Sequence, residues 1–212
     1  MKSINSKIIL ETEVDGIQLL KDIERFGRVC YKSEDLITEN SSKSFVKNIL
    51  KSGHESVIEH FTISVRVICD RGVSHEIVRH RIASYSQEST RYCNYSIEKF
   101  DSSITYIEPC FFKKGNNQYT VWENTMKNIE KAYFELLSLG ATPQEARSVL
   151  PNSLKTELVM TMNLREWRHF LKLRCSKAAH PQMREIANAI LNIFVKIVPI
   201  IFDDILEVEH RV

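Results

Sequence analysis

Glycine is scarce here, with six in 212 residues. No two of them have the G-x-G-x-x-G or G-x-x-x-x-G-K-[ST] spacing, so neither a Rossmann turn nor a Walker loop holds a nucleotide. Cysteine is equally uninformative: five residues, at 30, 69, 93, 110 and 175, form an odd set with no C-x-x-C pair. That argues against a disulfide framework and a zinc site, and leaves the thiols buried or idle. Long apolar runs are missing too. The longest, Ile190 to Phe202, is broken by Asn192, Lys196 and Pro199 and is too short to cross a bilayer. The first residues lack the basic start, apolar run and small-residue site of a signal peptide, which points to a cytoplasmic chain. Nor does one sign of charge dominate: 29 Lys and Arg against 27 Asp and Glu leave +2. A surface that balanced does not coat nucleic acid or anionic membrane, so any basic site must be local.

What is present is an ordinary globular composition, 43% hydrophobic and 26% charged. With no repeat or linker, residues 1–212 read as one domain. Ser6 to Val14 suits an edge strand. Asp15 to Cys30 suits an amphipathic helix with Ile17, Leu20, Ile23 and Phe26 or Gly27 on one side. A shorter helix, Ser42 to Lys51, is stopped by Gly53. Phe61, Ile63, Val65, Val67 and Cys69 alternate with mainly polar neighbours, the period of a half-buried strand. A helix from Gly72 to Ala83, a mixed segment to Ser96 and an irregular connection over 97–119 are expected next. Thr120 and Glu123 form a capping-box pattern before a helix ending at Gly140, and Thr142, Pro143 and Glu145 open another. Leu154, Leu158, Met160 and Met162 mark a second strand. Asn163 with Glu166 caps a helix to Cys175, and Pro181 starts the last long helix. The fold class is α/β of the α+β type: a small mixed or antiparallel sheet surrounded by helices.

The local basic site is residues 71–91. They hold Arg71, Arg79, Arg81 and Arg91, four of thirteen arginines, and none of the sixteen lysines. A guanidinium offers phosphate a fixed bidentate fork, where an ammonium is a mobile point charge. Ser84, Ser86, Ser89 and Thr90 lie among them, able to complete a phosphate shell. The alternative is an arginine-rich surface or subunit interface. Successive helix residues point about 100° apart, so Arg79-His80-Arg81 cannot share one small ligand; they suit a long polyanion or two ligands. Metal is not expected, because His75 with His80 and His54 with His60 are five and six apart, where the zincin spacing is four. Phe111, not His, follows Pro109-Cys110, and there is no G-x-S-x-G elbow. Chemistry without a protein nucleophile or metal points to an organic cofactor.

Arg79-His80-Arg81, seven residues, then Ser89 and Arg91-Tyr92 resemble the signature of the flavin-dependent thymidylate synthases. Further matches lie along the chain: Gly53-His54-Glu55-Ser56 with Glu59-His60, Ala146-Arg147-Ser148-Val149-Leu150-Pro151, then Asn163, Arg165-Glu166-Trp167-Arg168-His169-Phe170 and Leu173-Arg174. The resemblance covers about residues 15–200.

It implies a homotetramer that converts dUMP to dTMP, with FAD and dUMP at subunit interfaces. Methylenetetrahydrofolate would supply the carbon and NADPH the reducing equivalents, with no nucleic acid or membrane partner. By the same resemblance Ser56, Arg79, His80, Arg81, Gln87, Asn163, Leu164, Arg165 and His169 contact the flavin nucleotide. Glu76, Ile77, Val78, Arg79, Gln87, Glu88, Ser89, Thr90, Arg91, Arg147 and Arg174 surround dUMP, with Ser89 and Arg91 suited to its phosphate. Arg174 and His54 are the catalytic candidates, and His180 is either a flavin neighbour or simply the start of the helix at Pro181. Members of the family pair one carboxylate with one amide at the positions of Glu76 and Gln87. The rival reading from another class is a nucleic-acid-binding module that uses the same arginines without catalysis; it predicts a colourless protein with steeply salt-dependent affinity.

Overall fold

The computed structural model describes residues 1–98 and 101–210. In chain order its strands are β1 (Lys2–Ile4), β2 (Lys7–Leu10), β3 (Thr62–Asp70), β4 (Ser84–Gln87), β5 (Thr105–Ile107) and β6 (Lys155–Asn163). The α-helices are α1 (Gly16–Arg28), α2 (Ser41–Lys51), α3 (Arg71–Ile77), α4 (Asn117–Ser138), α5 (Pro143–Ala146), α6 (Leu164–Arg174), α7 (Pro181–Ile197) and α8 (Asp203–His210). A four-stranded sheet has the order β2-β3-β6-β4, and β1 pairs with β5 in parallel, Lys2 opposite Thr105 and Ile4 opposite Ile107. The expected mixed α/β class is what the chain adopts. No helix among the described residues is long and apolar enough to cross a membrane.

By its contacts the chain forms two compact units. One holds Met1–Ile8, Arg66–Arg79 and Tyr85–Val159; the other holds Ile9–Val65, His80–Ser84 and Met160–Val212.

In the first unit, Tyr119, Trp122, Met126 and Tyr133 recur at helical spacing on α4 and pack with Tyr95, Ile104, Tyr106, Ala146 and Leu154. The Trp122 indole N–H finds the Ser153 hydroxyl at 3.1 Å. In the second unit, Trp167, Phe170, Phe194 and Phe202 are fully buried, and Trp167 meets Phe170 and Phe194 edge to face. The Trp167 indole donates to the Ile63 carbonyl at 3.0 Å, tying α6 to β3. Truncating one such buried aromatic to Ala costs about 3–5 kcal/mol.

The alternation over 61–69 and 154–162 becomes β3 and β6, with Ile63, Val65, Val67, Cys69, Leu158, Met160 and Met162 buried. Asn163 caps α6 as expected, its Oδ1 accepting from the Glu166 N–H at 2.8 Å. Other expectations are corrected. The helix expected over 72–83 ends at Ile77: the Tyr85 hydroxyl donates to the Ile77 carbonyl, and the chain turns back to lay Ser84–Gln87 into the sheet. Asn116, not Thr120, caps α4, which therefore begins four residues earlier. The connection over 97–119 contains β5, and its residues 99 and 100 lie outside the described residues. Pro181 opens α7, but α8 follows it.

Candidate functional site

The Arg-His-Arg segment follows α3 rather than lying in it, and the division between the units falls after Arg79, so His80 and Arg81 belong to the second unit. The three side chains diverge all the same: Arg81 is exposed, while His80 turns inward and is 5% exposed. It meets one face of α6, where Glu166, Phe170 and Arg174 recur every four residues. His80 Nδ1 lies 3.2 Å from Glu166 Oε1, and the Arg174 Nε–H donates to His80 Nε2 at 3.1 Å. The Phe170 ring packs edge-on at 4.8 Å and the His169 ring lies at 5.6 Å. Burial, with the Arg174 charge and His169 beside it, holds the imidazole down at about 4. Burial pushes the Glu166 carboxyl up, with His169 opposing.

A cavity of about 550 Å³ opens beside this group, lined by Glu55, Glu59, Ile82, Asn163, Arg165, Glu166, His169 and Lys172. Asn163, Arg165 and His169, expected at the flavin, thus share one wall system. Arg165 pairs with Glu59 at 2.5 Å. Leu164 is fully buried, so a contact from it to a ligand falls to its backbone. Gly53 takes a positive φ of 73° that swings the chain into the 3₁₀ turn Glu55–His60, leaving His54 and Ser56 exposed. His180 caps α7, its Nδ1 accepting from the Gln182 N–H at 3.3 Å.

The first unit holds a second group. Gln87 on β4 donates through Nε2 to the hydroxyls of Ser74 and Thr156, at 2.9 and 3.1 Å. Glu88 does not point toward open space: Lys155 reaches it at 2.7 Å and the Tyr95 hydroxyl at 3.1 Å. Glu157 links Lys155 onward to Arg66, whose hydrogen bond keeps the Glu157 carboxyl below its usual range. Thr90 is buried and accepts from Arg147 at 3.3 Å; with Arg71, Gln144 and Ser148 these two line a cavity of about 510 Å³. Ser89 Oγ accepts from the Arg91 N–H at 3.3 Å, and its carbonyl accepts from Tyr92 and Cys93, a turn that leaves Arg91 exposed. Among the expected dUMP neighbours on α3 and just after it, Ile77 is buried, Glu76 half-buried, and Val78 and Arg79 exposed.

Among the described residues, Arg79 and Arg81 have no carboxylate partner. A further cavity of about 890 Å³, between Phe112 and Met126, has no charged residue in its lining and so has nothing to hold an anion.

The fold also brings together what spacing did not reveal. Side-chain ligand atoms of His80, Glu166 and His169 lie within 4.8 Å of one another. The Arg174 cation on Nε2 sets a positive charge against any metal there. Glu166 was legible as a capping residue and as part of a matching block, with no site role, and Ser74 and Thr156 as helix and strand residues. The stripe Glu166, Phe170, Arg174 is the signal that points to the first; nothing local points to the others.

Residues 17–200 match the family described as thymidylate synthase complementing protein. The chain is 38% identical over 167 residues to the flavin-dependent thymidylate synthase of Pyrococcus furiosus, covering 78% of this chain and 67% of that one. It is 37% identical to that of Geobacter sulfurreducens, covering 84% and 78%. Among solved structures it is similar to the UMP/dUMP methylase PolB of Streptomyces cacaoi bound with 5-Br dUMP, with a TM-score of 0.76, 22% identity and 96% of each chain covered. At that identity the likeness speaks for the fold. The sequence matches, over most of the chain, place it in the family of flavin-dependent thymidylate synthases.

Proposed function

We propose that this protein catalyses the reductive methylation of dUMP to dTMP, with FAD as redox cofactor, methylenetetrahydrofolate as carbon donor and NADPH as reductant. In this reading residues 1–212 act as one catalytic domain of a cytoplasmic homotetramer. The observation that carries it is the exposed arginine set, Arg79, Arg81 and Arg91, within one thirteen-residue stretch. Exposed guanidinium groups without carboxylate partners suit polyanions, and the reaction brings two: the flavin pyrophosphate and the dUMP phosphate.

The residues present fit a flavin nucleotide. Arg81 supplies charge for the pyrophosphate; exposed Ile82 and Leu173, at 67% and 49%, supply apolar surface for a ring system or a neighbouring subunit. Asn163, Arg165 and His169 would hold it with Ser56, Arg79, Gln87 and the backbone of Leu164. A reduced flavin held there would supply the hydride that passes to the pyrimidine. Ser89, Arg91 and Arg147 hold the dUMP phosphate, and Glu76, Ile77, Val78, Gln87, Glu88 and Thr90 shape the rest of that site. His54 lies near the reacting ring.

An arginine such as Arg174 offers donors and no acceptor and cannot act as an ordinary base. Its role is to stabilise negative charge that develops on N3 and O4 of the pyrimidine as hydride adds. No protein nucleophile is required: Cys69 is buried, and burial pushes its thiol above the usual range, while exposed Cys110 is followed by Phe111.

The test is an anaerobic assay of dTMP formation from dUMP, methylenetetrahydrofolate and NADPH by the yellow holoprotein. Turnover that needs all three supports the reading. A colourless protein, or a flavoprotein that makes no dTMP, overturns it.

A further inference from the structure

The contact between His80 and Arg174 fixes a protonation state by elimination. An arginine side chain has five donor hydrogens and no acceptor. Its Nε at 3.1 Å from His80 Nε2 therefore requires a lone pair, not a proton, on that ring nitrogen. A ring with a bare Nε2 keeps its proton on Nδ1, and that proton has a receiver in Glu166 Oε1 at 3.2 Å. Glu166 is itself restrained, since its backbone N–H is the one held by the Asn163 cap.

The spacing suits a strut. Glu166 and Arg174 are eight residues apart on α6, a rise of about 12 Å at 1.5 Å per residue, and the imidazole bridges them along the helix face with Phe170 against its plane. Glu166, His169 and Arg174, which face the ring, lie on α6, and Arg79 and Arg81 flank it in the chain. With both ring nitrogens engaged inside the protein, a flavin contact from His80 falls to its backbone or to ring carbon.

We infer that His80 is a positioning residue: a neutral, Nδ1-protonated imidazole, braced by Glu166, that accepts from Arg174 Nε and so aims the rest of the guanidinium. The Nη donors are then held in one orientation while Nε is occupied. The middle residue of the Arg-His-Arg signature thereby serves Arg174, ninety-four residues away in the chain. The kinetic consequence rests on the role given to Arg174 above; the geometric claim does not.

The experiment uses the full-length holoprotein, selectively labelled with ¹⁵N-histidine and ¹⁵N-arginine, with three variants. In His80→Gln the amide oxygen reaches the place of Nε2 and can still accept from Arg174. In His80→Asn the amide lies near the place of Nδ1 and can reach only Glu166. His80→Ala keeps neither. NMR of the wild type is expected to show His80 with a protonated Nδ1 and bare Nε2, and a slowly exchanging Arg174 Nε–H, assigned by its loss in Arg174→Ala. That signal should persist in His80→Gln and be lost in His80→Asn and His80→Ala.

Flavin oxidation by dUMP and methylenetetrahydrofolate should fall at least about tenfold in His80→Asn and His80→Ala, with His80→Gln recovering most of it. His80→Ala added to Arg174→Ala should slow the reaction no further, the non-additive behaviour of residues that act as one unit. A protonated Nε2, an Arg174 signal indifferent to His80→Ala, or additive kinetic losses each overturn the positioning role. If Arg174→Ala itself leaves flavin oxidation unchanged, the role of Arg174 on the substrate fails, and the NMR arm still decides the positioning.

Discussion

Replacing Arg168 with Met tests how α6, which presents Glu166 and Arg174, is anchored. The Arg168 side chain is 3% exposed. Its guanidinium is bidentate to Asp204 of α8, at 2.7 and 2.8 Å, donates to Glu55 at 3.0 Å, and also reaches the Ile201 carbonyl. Burial works against the cation, but the Asp204 hydrogen bonds and charge outweigh it and raise its pKa. Methionine matches the apolar stem and deletes every one of these donors.

Removing one member of a buried pair costs about 3–5 kcal/mol. The stranded groups here are unequal: Glu55 is 20% exposed, but Asp204 is 55% exposed and regains water. The loss should therefore fall at the low end, about 3 kcal/mol. Asp204→Asn, which leaves Arg168 paired with Glu55, should cost about 1 kcal/mol. Urea unfolding at one protomer concentration measures both, since an oligomer's stability depends on concentration. Amide exchange should quicken in α8 before α7. An Arg168→Met change below 1 kcal/mol would refute the claim that this guanidinium pins the two helices together.

Three further outcomes follow from named contacts. His80, held near 4 against an ordinary value of 6.5, stays neutral in the fold while the unfolded chain takes up a proton below pH 6.5. Its share of stability is therefore complete above 6.5, falls as pH drops toward 4 and then levels, a change on the order of 3 kcal/mol; paired urea melts of wild type and His80→Gln should converge over that window, and a constant difference counts against it. If Gln87 lines the proposed dUMP site, Gln87→Glu should weaken dUMP binding at least roughly tenfold, about 1.4 kcal/mol, by adding a carboxylate where a phosphate dianion must bind, and Glu76→Gln should restore part of the loss in calorimetry. Additive losses in the double variant would remove the charge-pairing idea. Mixing Arg91→Ala with Arg174→Ala under subunit exchange should regenerate some activity if the two side chains serve one site from different chains; no recovery despite proven exchange assigns them to one chain.

Where a side-chain pattern is dictated by burial on one face, the chain was readable. β3 and β6 followed their two-residue alternation, and α6 began at its Asn163 cap. Where a local pattern is overridden by a distant partner, it was not. The apolar-polar mixture over 72–83 suits a helix, yet Tyr85 closes the helix at Ile77 and β6 draws Ser84–Gln87 into the sheet. β1 and β5 are three residues each and depend on one another across a hundred positions, which no local window detects. The arginine segment was legible because its composition is extreme for a nearly neutral chain. The inward turn of His80 was not, since it follows from the loss of the helix that the sequence favours locally. Glu166 carries two signals, cap and stripe, and the first hid the second.

The central claim is that Arg174, held in place, assists hydride addition to dUMP. The most direct test is rapid mixing of the anaerobically reduced flavoprotein with dUMP and methylenetetrahydrofolate, following the return of flavin absorbance in wild type and Arg174→Ala. The variant should retain its flavin and oxidise it on the order of 10²-fold or more slowly, the loss seen when one oxyanion donor is removed. An unchanged rate in a variant with intact flavin and dUMP binding would contradict the claim.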